Sequence, residues 1–241
     1  MKYEVTVLRH PLNAHISYDE TFLFETKDGS LSIADMLESF NSQDERYNSL
    51  GQPCSKIAYK RNCLQKKCGA CAMLINGKPA LACGVRLNEC GTKIRLEPLK
   101  KFPVVEDLIV DRDIMRKNLR DMKVWFEDDA DSSKLNLSYE ASRCLQCGCC
   151  LEVCPNFASG FEFTGMAGAV PMGRLLDQLP LKQKAEAKRL YRIKAYEGCG
   201  KSLACRKVCP AGLDIEMILS GSNAIAVWNR YLRRKKDEEK I

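Results

Sequence analysis

Four closely spaced cysteines constrain this chain more than any other feature of its 241 residues. They have the spacing C-x2-C-x2-C-x3-C, and Pro155 follows the last of them. With this spacing, three thiolates can hold one cubane iron–sulfur cluster while the fourth reaches a neighbouring cluster. A second loop of the same kind is therefore needed to complete both ligand sets. The four cysteines are Cys144, Cys147, Cys150 and Cys154.

A second loop with this frame lies further along the chain and carries one substitution. Cys199, Cys205 and Cys209 keep the spacing. Pro210 follows the last of them, and Ser202 stands where the second cysteine is expected. A serine hydroxyl is a hard donor that is far more difficult to deprotonate than a thiol, so it is a poor ligand for cluster iron. We expect the iron at that corner to be absent, which leaves [3Fe–4S]; a serine-ligated [4Fe–4S] cluster is the alternative.

The crossover between the two loops divides their seven thiolates into two sets. The predicted [4Fe–4S] ligands are Cys144, Cys147, Cys150 and Cys209. The predicted [3Fe–4S] ligands are Cys154, Cys199 and Cys205.

A different cysteine motif lies nearer the N-terminus. Its spacing, C-x4-C-x2-C followed by a more distant fourth cysteine, is the plant-type pattern for a [2Fe–2S] cluster. Between the third and fourth cysteines, Asn76-Gly77 separates two apolar runs, which indicates a hairpin. That hairpin would bring the fourth cysteine back to the loop that carries the others. The predicted ligands are Cys63, Cys68, Cys71 and Cys83.

Residues 1–105 have the pattern of a small β-rich domain. Residues 32–40 have helical spacing, with Ser30 or Ser32 available as the N-cap. Strands, helix, cluster loop and hairpin in this order predict a β-grasp [2Fe–2S] ferredoxin domain. The strand-like segments are 3–8, 21–25 and 93–98.

Residues 106–241 are predicted to form an α-helical dicluster domain of the bacterial ferredoxin type, so the fold class is α+β. Prolines 171, 180 and 210 are expected to break the helical pattern. Residues 128–133 are predicted to form a loop. The predicted helices are 111–126, 172–179, 182–196 and 214–232.

The chain has 14 cysteines in all, and zinc sites or disulfides are the alternatives to clusters. Three separate motif spacings favour clusters, and iron in those clusters is the only metal expected. Cys54, Cys90 and Cys149 lie outside the motifs and are predicted to be buried structural thiols.

Several other function classes do not fit this sequence. No apolar run reaches the roughly 18 residues of a membrane span, and the first residues alternate like a strand rather than a signal peptide. We therefore expect a soluble or peripheral protein that stays where it is made. The excess of 38 basic over 31 acidic residues is mild, which argues against a nucleic-acid partner. No Ser–His or Cys–His arrangement is present, so no catalytic residue is predicted.

One plant-type and two bacterial-type motifs in this order resemble the iron–sulfur subunit of succinate dehydrogenase and fumarate reductase. The serine at the third cluster, both Cys-Pro endings and the stretches 68–77 and 96–111 carry the same resemblance. It implies a flavoprotein partner with FAD, one or more membrane-anchor subunits with or without haem, and a quinone at the anchor. Electrons would pass between FAD and quinone through the three clusters, and carbon chemistry would belong to the flavoprotein. The resemblance also implies a peripheral location on the cytoplasmic side of the cell membrane.

Two neighbourhoods depart from the ubiquinone-linked members of that family. These members carry a tryptophan soon after the first Cys-Pro, where this chain has the stretch Asn156-Phe-Ala-Ser159. They also carry a histidine directly after the first cysteine of the second loop, where this chain has Gly200. A menaquinone-linked relative therefore fits better, with Pro155, Gly200 and Ser202 as the quinone-side candidates. Two alternatives stay open: an electron-transfer subunit of another flavoprotein oxidoreductase, such as a thiol-linked fumarate reductase relative, and a free-standing ferredoxin-like carrier.

Overall fold

A computed structural model describes residues 1–13, 16–127 and 136–228 of the chain. The chain divides into two compact units. The first comprises Met1–Arg112 together with Cys147–Glu152, and the second comprises Asp113–Gln146 and the described part of Val153–Ile241. The boundary between residues 105 and 106 stays a prediction, since the first unit includes both a longer N-terminal stretch and a separate segment of the first cysteine loop.

A five-stranded mixed sheet forms the centre of the first unit, and it contains every strand that the sequence predicted. The strand order is β2-β1-β5-β3-β4, with β1 and β5 parallel and the other pairs antiparallel. Buried and solvent-facing residues alternate along β1, as its sequence pattern requires. The strands are β1 (Lys2–Arg9), β2 (Tyr18–Glu25), β3 (Ala72–Ile75), β4 (Lys78–Leu81) and β5 (Lys93–Glu97).

Helix α1 (Ile33–Asn41) confirms the predicted helix, and of the two candidate caps it uses Ser32. The Ser32 hydroxyl accepts from the Asp35 N–H, and the Asp35 carboxylate accepts from the Ser32 N–H, which together form a capping box. One face of α1 is buried, and the ring of Phe40 lies 4.5 Å from the ring of Phe22 on β2 in an edge-to-face contact. The helix thus covers one face of the sheet.

A small second hairpin follows the sheet, formed by β6 (Val104–Glu106) and β7 (Ile109–Val110). Its turn residue Asp107 is buried and accepts from the buried Arg9 side chain, with 3.0 Å between Arg9 Nε and Asp107 Oδ1. The same carboxylate accepts from the backbone N–H of His10 and of Ala58. These contacts fix the hairpin to the end of β1, although its strands are too short to be predicted from their pattern.

The described part of the second unit is helical, as predicted. Its helices are short, and two of them continue into a π-helical turn at Arg192–Tyr196 and at Ala224–Trp228. The helix α4 (Cys149–Glu152) belongs to the first unit, as do the 3-10 turns Ala82–Gly84 and Leu87–Glu89. The helices of the second unit are α2 (Asp113–Asp121), α3 (Asn136–Ser142), α5 (Gly165–Leu176), α6 (Leu181–Tyr191), α7 (Ala204–Lys207) and α8 (Ile215–Asn223).

The predicted helix at 172–179 is wrong in its start, because Pro171 lies inside α5 and does not break it. A proline inside a helix leaves the carbonyl four residues earlier without its usual donor. Here that carbonyl belongs to Ala167, and the Gln146 side chain donates to it from Nε2 at 3.1 Å. The replacement donor explains why the helix tolerates this proline.

The other helix predictions agree with the structure apart from their ends. The helix predicted at 111–126 ends at Asp121, and Lys123 beyond it has a left-handed backbone (φ 52°). The helix predicted at 214–232 begins after the N-cap Asp214 and is described as far as Trp228. Its remaining residues and the loop predicted at 128–133 lie outside the described residues.

Helix α5 forms the core of the second unit, since nearly all of its residues are buried. It approaches α8 closely at Gly173, where a Cβ atom would lie 2.5 Å from the Ser222 hydroxyl oxygen. Within the described ranges, the helices lack the length and apolar character that a membrane crossing requires.

Candidate iron–sulfur cluster sites

The four cysteines of the plant-type motif come together in the first unit as two pairs. Cys71 Sγ lies 3.4 Å from Cys83 Sγ, and Cys63 shares a side-chain hydrogen bond with Cys68. The β3–β4 hairpin produces this arrangement because Ala72 faces Leu81, which places Cys71 and Cys83 at its open end. The predicted hairpin is confirmed.

The turn of that hairpin has the geometry that its sequence indicates. Asn76 and Gly77 both have positive φ angles, 48° and 76°. A two-residue turn of the I′ type requires positive φ at both positions, and asparagine followed by glycine adopts it at low cost. The sequence therefore specifies the register that returns Cys83 to the loop.

Backbone N–H groups of the loop point at the sulfur atoms. Gln65 and Lys67 donate to Cys63 Sγ at 3.4 and 3.3 Å. Lys66 donates to Cys83 Sγ at 3.3 Å, and its own backbone is left-handed (φ 59°). Hydrogen bonds of this kind stabilise negative charge on sulfur and are among the factors that set cluster potentials.

Cys63 and Cys71 differ in how readily their thiols ionise. The N–H groups of Gln65 and Lys67 lower the pKa of Cys63 to about 7. Burial raises the pKa of Cys71 to about 12. A thiol with so high a pKa becomes a thiolate at neutral pH only when a metal ion compensates its charge. The Cys63 thiol is thus prepared for metal binding, and the Cys71 thiol depends on it.

This arrangement fits a group with two irons. Two separate thiol pairs suit two tetrahedral irons, each of which takes two thiolates. The residues present therefore fit a [2Fe–2S] cluster.

The two bacterial-type loops share one backbone conformation. The residue before the second ligand position is left-handed in both loops, Gln146 at φ 49° and Lys201 at φ 54°. The residue after that position is also left-handed in both, Gly148 at φ 89° and Leu203 at φ 55°. A leucine at positive φ is uncommon, so its presence at the matching place indicates that the loop shape is imposed.

Cys147 and Ser202 occupy the position between these left-handed residues, and a one-turn helix that carries the third motif cysteine begins two residues later in each loop. That helix is α4 in the first loop and α7 in the second. The structure therefore supports the alignment that places Ser202 in a cysteine position. The Ser202 residue itself is exposed.

The structure brings the three predicted [3Fe–4S] ligands near one another within the second unit. Burial raises the pKa of Cys205, and the negative charges of Cys154 and Cys199 raise it further. Asn156 and Gly200, which belong to the two neighbourhoods that depart from the ubiquinone-linked pattern, also lie together. A Cβ atom at Gly200 would be 3.0 Å from Asn156 Nδ2, which donates to the Gly198 carbonyl at 2.7 Å.

The quinone-side candidates Pro155, Gly200 and Ser202 are all exposed. Of the predicted [4Fe–4S] ligands, Cys147 and Cys150 belong to the first unit. Cys144 and Cys209 belong to the second. This ligand set therefore rests on the motif spacing.

The three cysteines outside the motifs have different environments. Cys149 is buried, and its hydrogen bond with Cys147 together with burial raises its pKa far above the ordinary value. The same hydrogen bond lowers the pKa of Cys147 to about 7. Cys54 and Cys90 are only half-buried, so the prediction of burial is wrong for those two.

Sequence reasoning missed two residues that contact the cluster loops. The guanidinium of Arg112 donates to three backbone carbonyls, those of Gly69, Ala70 and Cys147. Gln146 donates from Nε2 both to the Ala167 carbonyl and to Cys144 Sγ at 3.4 Å. The sequence did contain a signal for such a donor. Pro171 lies in an apolar segment, and a proline inside a helix leaves a backbone carbonyl that needs a hydrogen-bond donor from elsewhere in the chain.

Comparison with known proteins identifies two iron–sulfur domains in this chain. Residues 4–117 match the family model for a 2Fe-2S iron-sulfur cluster binding domain, and residues 140–213 match that for a 4Fe-4S dicluster domain. The succinate dehydrogenase iron-sulfur subunit of Bacillus subtilis is 33% identical over 221 residues, which cover 86% of this chain and 85% of that protein. The chain belongs to the iron–sulfur subunits of succinate dehydrogenases and fumarate reductases. The resemblance stated from the motifs is confirmed.

Other members of this family agree in sequence and in fold. The fumarate reductase iron-sulfur subunit of Haemophilus influenzae is 29% identical over 73% of this chain and 78% of that protein. A chain in the structure of the Mycobacterium smegmatis Sdh1 complex has the same fold, with a TM-score of 0.68 at 21% identity over 93% of this chain and 95% of that chain. The predicted α+β class, with a β-grasp ferredoxin domain before a dicluster domain, is confirmed.

Proposed function

We propose that this chain is the electron-transfer subunit of a membrane-associated succinate dehydrogenase or fumarate reductase. It relays electrons between the FAD of a flavoprotein subunit and a quinone at a membrane anchor. Family membership supports the complex and its partners. The paired thiols of the first unit are the observation that carries the relay, because they fit a two-iron group in the domain where the family has one.

Eleven cysteines hold the three groups in this proposal. The [2Fe–2S] ligands bind in pairs, with Cys63 and Cys68 on one iron and Cys71 and Cys83 on the other, and the contacts within each pair support this pairing. The matching backbone of the two later loops supports their shared frame. The [4Fe–4S] ligands are Cys144, Cys147, Cys150 and Cys209, and the [3Fe–4S] ligands are Cys154, Cys199 and Cys205.

The residues of this chain hold and tune these groups and carry out no carbon chemistry. When bound, the three groups accept and pass on single electrons. The thiolates fix their positions, and the N–H groups of Gln65, Lys66 and Lys67 stabilise negative charge at the sulfurs of the first site. Oxidation or reduction of a dicarboxylate belongs to the flavoprotein in this proposal.

The exposed face around the third site is the proposed quinone side. Pro155, Gly200 and Ser202 are exposed there, and the stretch from Asn156 to Ser159 lacks the tryptophan that ubiquinone-linked members carry soon after the first Cys-Pro. This face therefore lacks the two side chains that mark the ubiquinone-linked members, the tryptophan and the histidine, and their absence supports menaquinone as the quinone. The peripheral location on the cytoplasmic side of the membrane is proposed from family membership.

The proposal is tested on the complex purified from its native membrane. We expect the chain to co-purify with an FAD-containing protein and a membrane protein, and to support electron transfer between succinate and a menaquinone analogue. A Cys83→Ala complex should keep its flavin but lose that transfer. Purification of the wild-type chain alone, or quinone reduction that is unaffected by loss of Cys83, would contradict the proposal.

A further inference from the structure

Arg112 connects the loop of the first site to the backbone of a predicted ligand of the second. Its Nη1 donates to the Gly69 carbonyl at 3.0 Å and to the Cys147 carbonyl at 2.7 Å. Its Nη2 donates to the Ala70 carbonyl at 3.0 Å. Gly69 and Ala70 lie between the ligands Cys68 and Cys71. One half-buried positive charge is thus shared by two cysteine loops, whose accepting carbonyls lie 35 to 43 residues from Arg112 in the chain.

Other contacts already hold the same segment in the first unit. The Lys101 N–H donates to Glu152 Oε2 at 3.1 Å. The ring of Phe102 packs on Gly148, where a Cβ atom would lie 3.2 Å from its Cζ atom. Docking of this segment therefore does not depend on Arg112 alone, and the charge of Arg112 is a separate property that calls for its own explanation.

A positive charge next to an electron-accepting group has a predictable effect. Reduction adds one electron and hence one negative charge, and a nearby guanidinium stabilises the reduced state and raises the potential. Arginine keeps its charge at any relevant pH, and its planar fork holds five N–H donors in a fixed geometry, whereas the ammonium group of lysine offers three donors from a single nitrogen. The net charge and hydrogen bonding around a cluster are known determinants of its potential.

We infer that Arg112 is a positioning residue of the electron relay, which raises the potentials of the [2Fe–2S] and [4Fe–4S] clusters together and fixes the separation of their loops. This inference rests on the proposed function. No bond is made or broken at Arg112. One electron leaves one cluster and enters the other, and the guanidinium stabilises the added charge at either site.

The test is a redox titration of the purified complex, followed by EPR, with two variants and a control. Arg112→Gln removes the charge and keeps an amide donor, so both midpoint potentials should fall while that of the [3Fe–4S] cluster changes least. Arg112→Lys keeps the charge and loses the fork, so both potentials should stay close to wild type. In the Arg112→Lys variant, electron transfer from the [2Fe–2S] to the [4Fe–4S] cluster should be several-fold slower than in wild type, as measured by rapid freezing and EPR. Arg116→Gln is the control, because Arg116 is exposed and pairs with Asp113 on α2.

The outcomes separate this inference from the proposal on which it rests. Potentials of Arg112→Gln that equal those of wild type or of Arg116→Gln would overturn the inference and leave the proposed function intact. If Arg112→Gln does not retain its clusters, the Arg112→Lys variant provides the test. A wild-type rate of electron transfer in Arg112→Lys would then overturn the inference. A wild-type complex without the signals of the first two clusters would overturn the proposed function and this inference with it.

Discussion

Cys147 and Ser202 occupy equivalent positions in two loops with the same backbone conformation. A left-handed residue stands on either side of each, and a one-turn helix begins two residues after each. The two side chains therefore differ in chemistry and not in the frame that presents them. If the absent thiolate is what keeps a fourth iron from the third site, restoring it should admit that iron.

The Ser202→Cys variant is expected to convert the third cluster from [3Fe–4S] to [4Fe–4S]. An added thiolate stabilises the oxidised state, so the potential of that cluster should fall and quinone-linked turnover should decrease. EPR of the oxidised protein should show a spin-half [3Fe–4S]⁺ signal in wild type and its loss in the variant. Ser42→Cys, which adds a thiol next to α1, should keep the signal. Absence of the signal in wild type would show that the third cluster is assigned wrongly.

Gln146 is expected to stabilise α5 through the carbonyl that Pro171 leaves free. Gln146→Ala should lower the stability by about 1 kcal/mol, because a buried acceptor loses its donor. Pro171→Ala restores a backbone N–H for the Ala167 carbonyl, so it should suppress most of that loss. Thermal loss of cluster absorbance in the two single variants and the double variant measures this coupling.

A control for this comparison of single and double variants is available in the same unit. Gln183 also donates a side-chain amide to a carbonyl, that of Trp125 at 2.8 Å, but at an exposed position. Gln183→Ala should have a smaller effect, and Pro171→Ala should not reverse it. Purely additive effects of Gln146→Ala and Pro171→Ala would rule out the proposed exchange of donors.

Much of the fold was predictable because its signals are local. Ser32 with Asp35 gives a helix start, and Asn76 with Gly77 gives a hairpin, each through contacts within four residues. The hairpin around Asp107 was missed because its strands are short and its stability comes from the distant Arg9. The helix across Pro171 was misjudged for a similar reason, since its compensating donor lies 21 residues earlier.

The candidate sites also contain some features that local sequence predicts and others that depend on distant contacts. Cysteine spacing specifies ligands, because a loop must place its thiolates around a cluster of fixed size. Arg112 could not be found from its neighbours in sequence, because its acceptors lie 35 to 43 residues away. The burial of Cys149 and the partial exposure of Cys90 likewise depend on tertiary packing.

Ligand and non-ligand cysteines of the first unit should behave differently when replaced. Cys83→Ala removes one sulfur of the pair formed by Cys71 and Cys83, so the [2Fe–2S] signal should disappear while the other two clusters remain. Cys90→Ala removes a half-buried thiol that contacts the Arg86 carbonyl at 3.4 Å, and the signal should persist. EPR of the dithionite-reduced protein compares the two variants, and equal behaviour would refute the ligand assignment.

The two units should contact different partners in the complex. A photo-crosslinking residue at Leu50, which is exposed in the first unit, should link to the flavoprotein. The same residue at Phe161, which is exposed in the second unit, should link to the membrane anchor. The expected order follows from the proposed direction of the relay, with the [2Fe–2S] site next to FAD. Links from Phe161 to the flavoprotein and from Leu50 to the anchor would reverse the assignment.

Metal and sulfide analysis of the anaerobically purified wild-type complex tests the central claim most directly. Three clusters of the proposed types predict about nine iron atoms and about ten acid-labile sulfides for each copy of this chain, with EPR signals for all three. About ten irons without the [3Fe–4S]⁺ signal would show that the serine corner is filled. A zinc-rich, iron-poor protein would contradict the account as a whole.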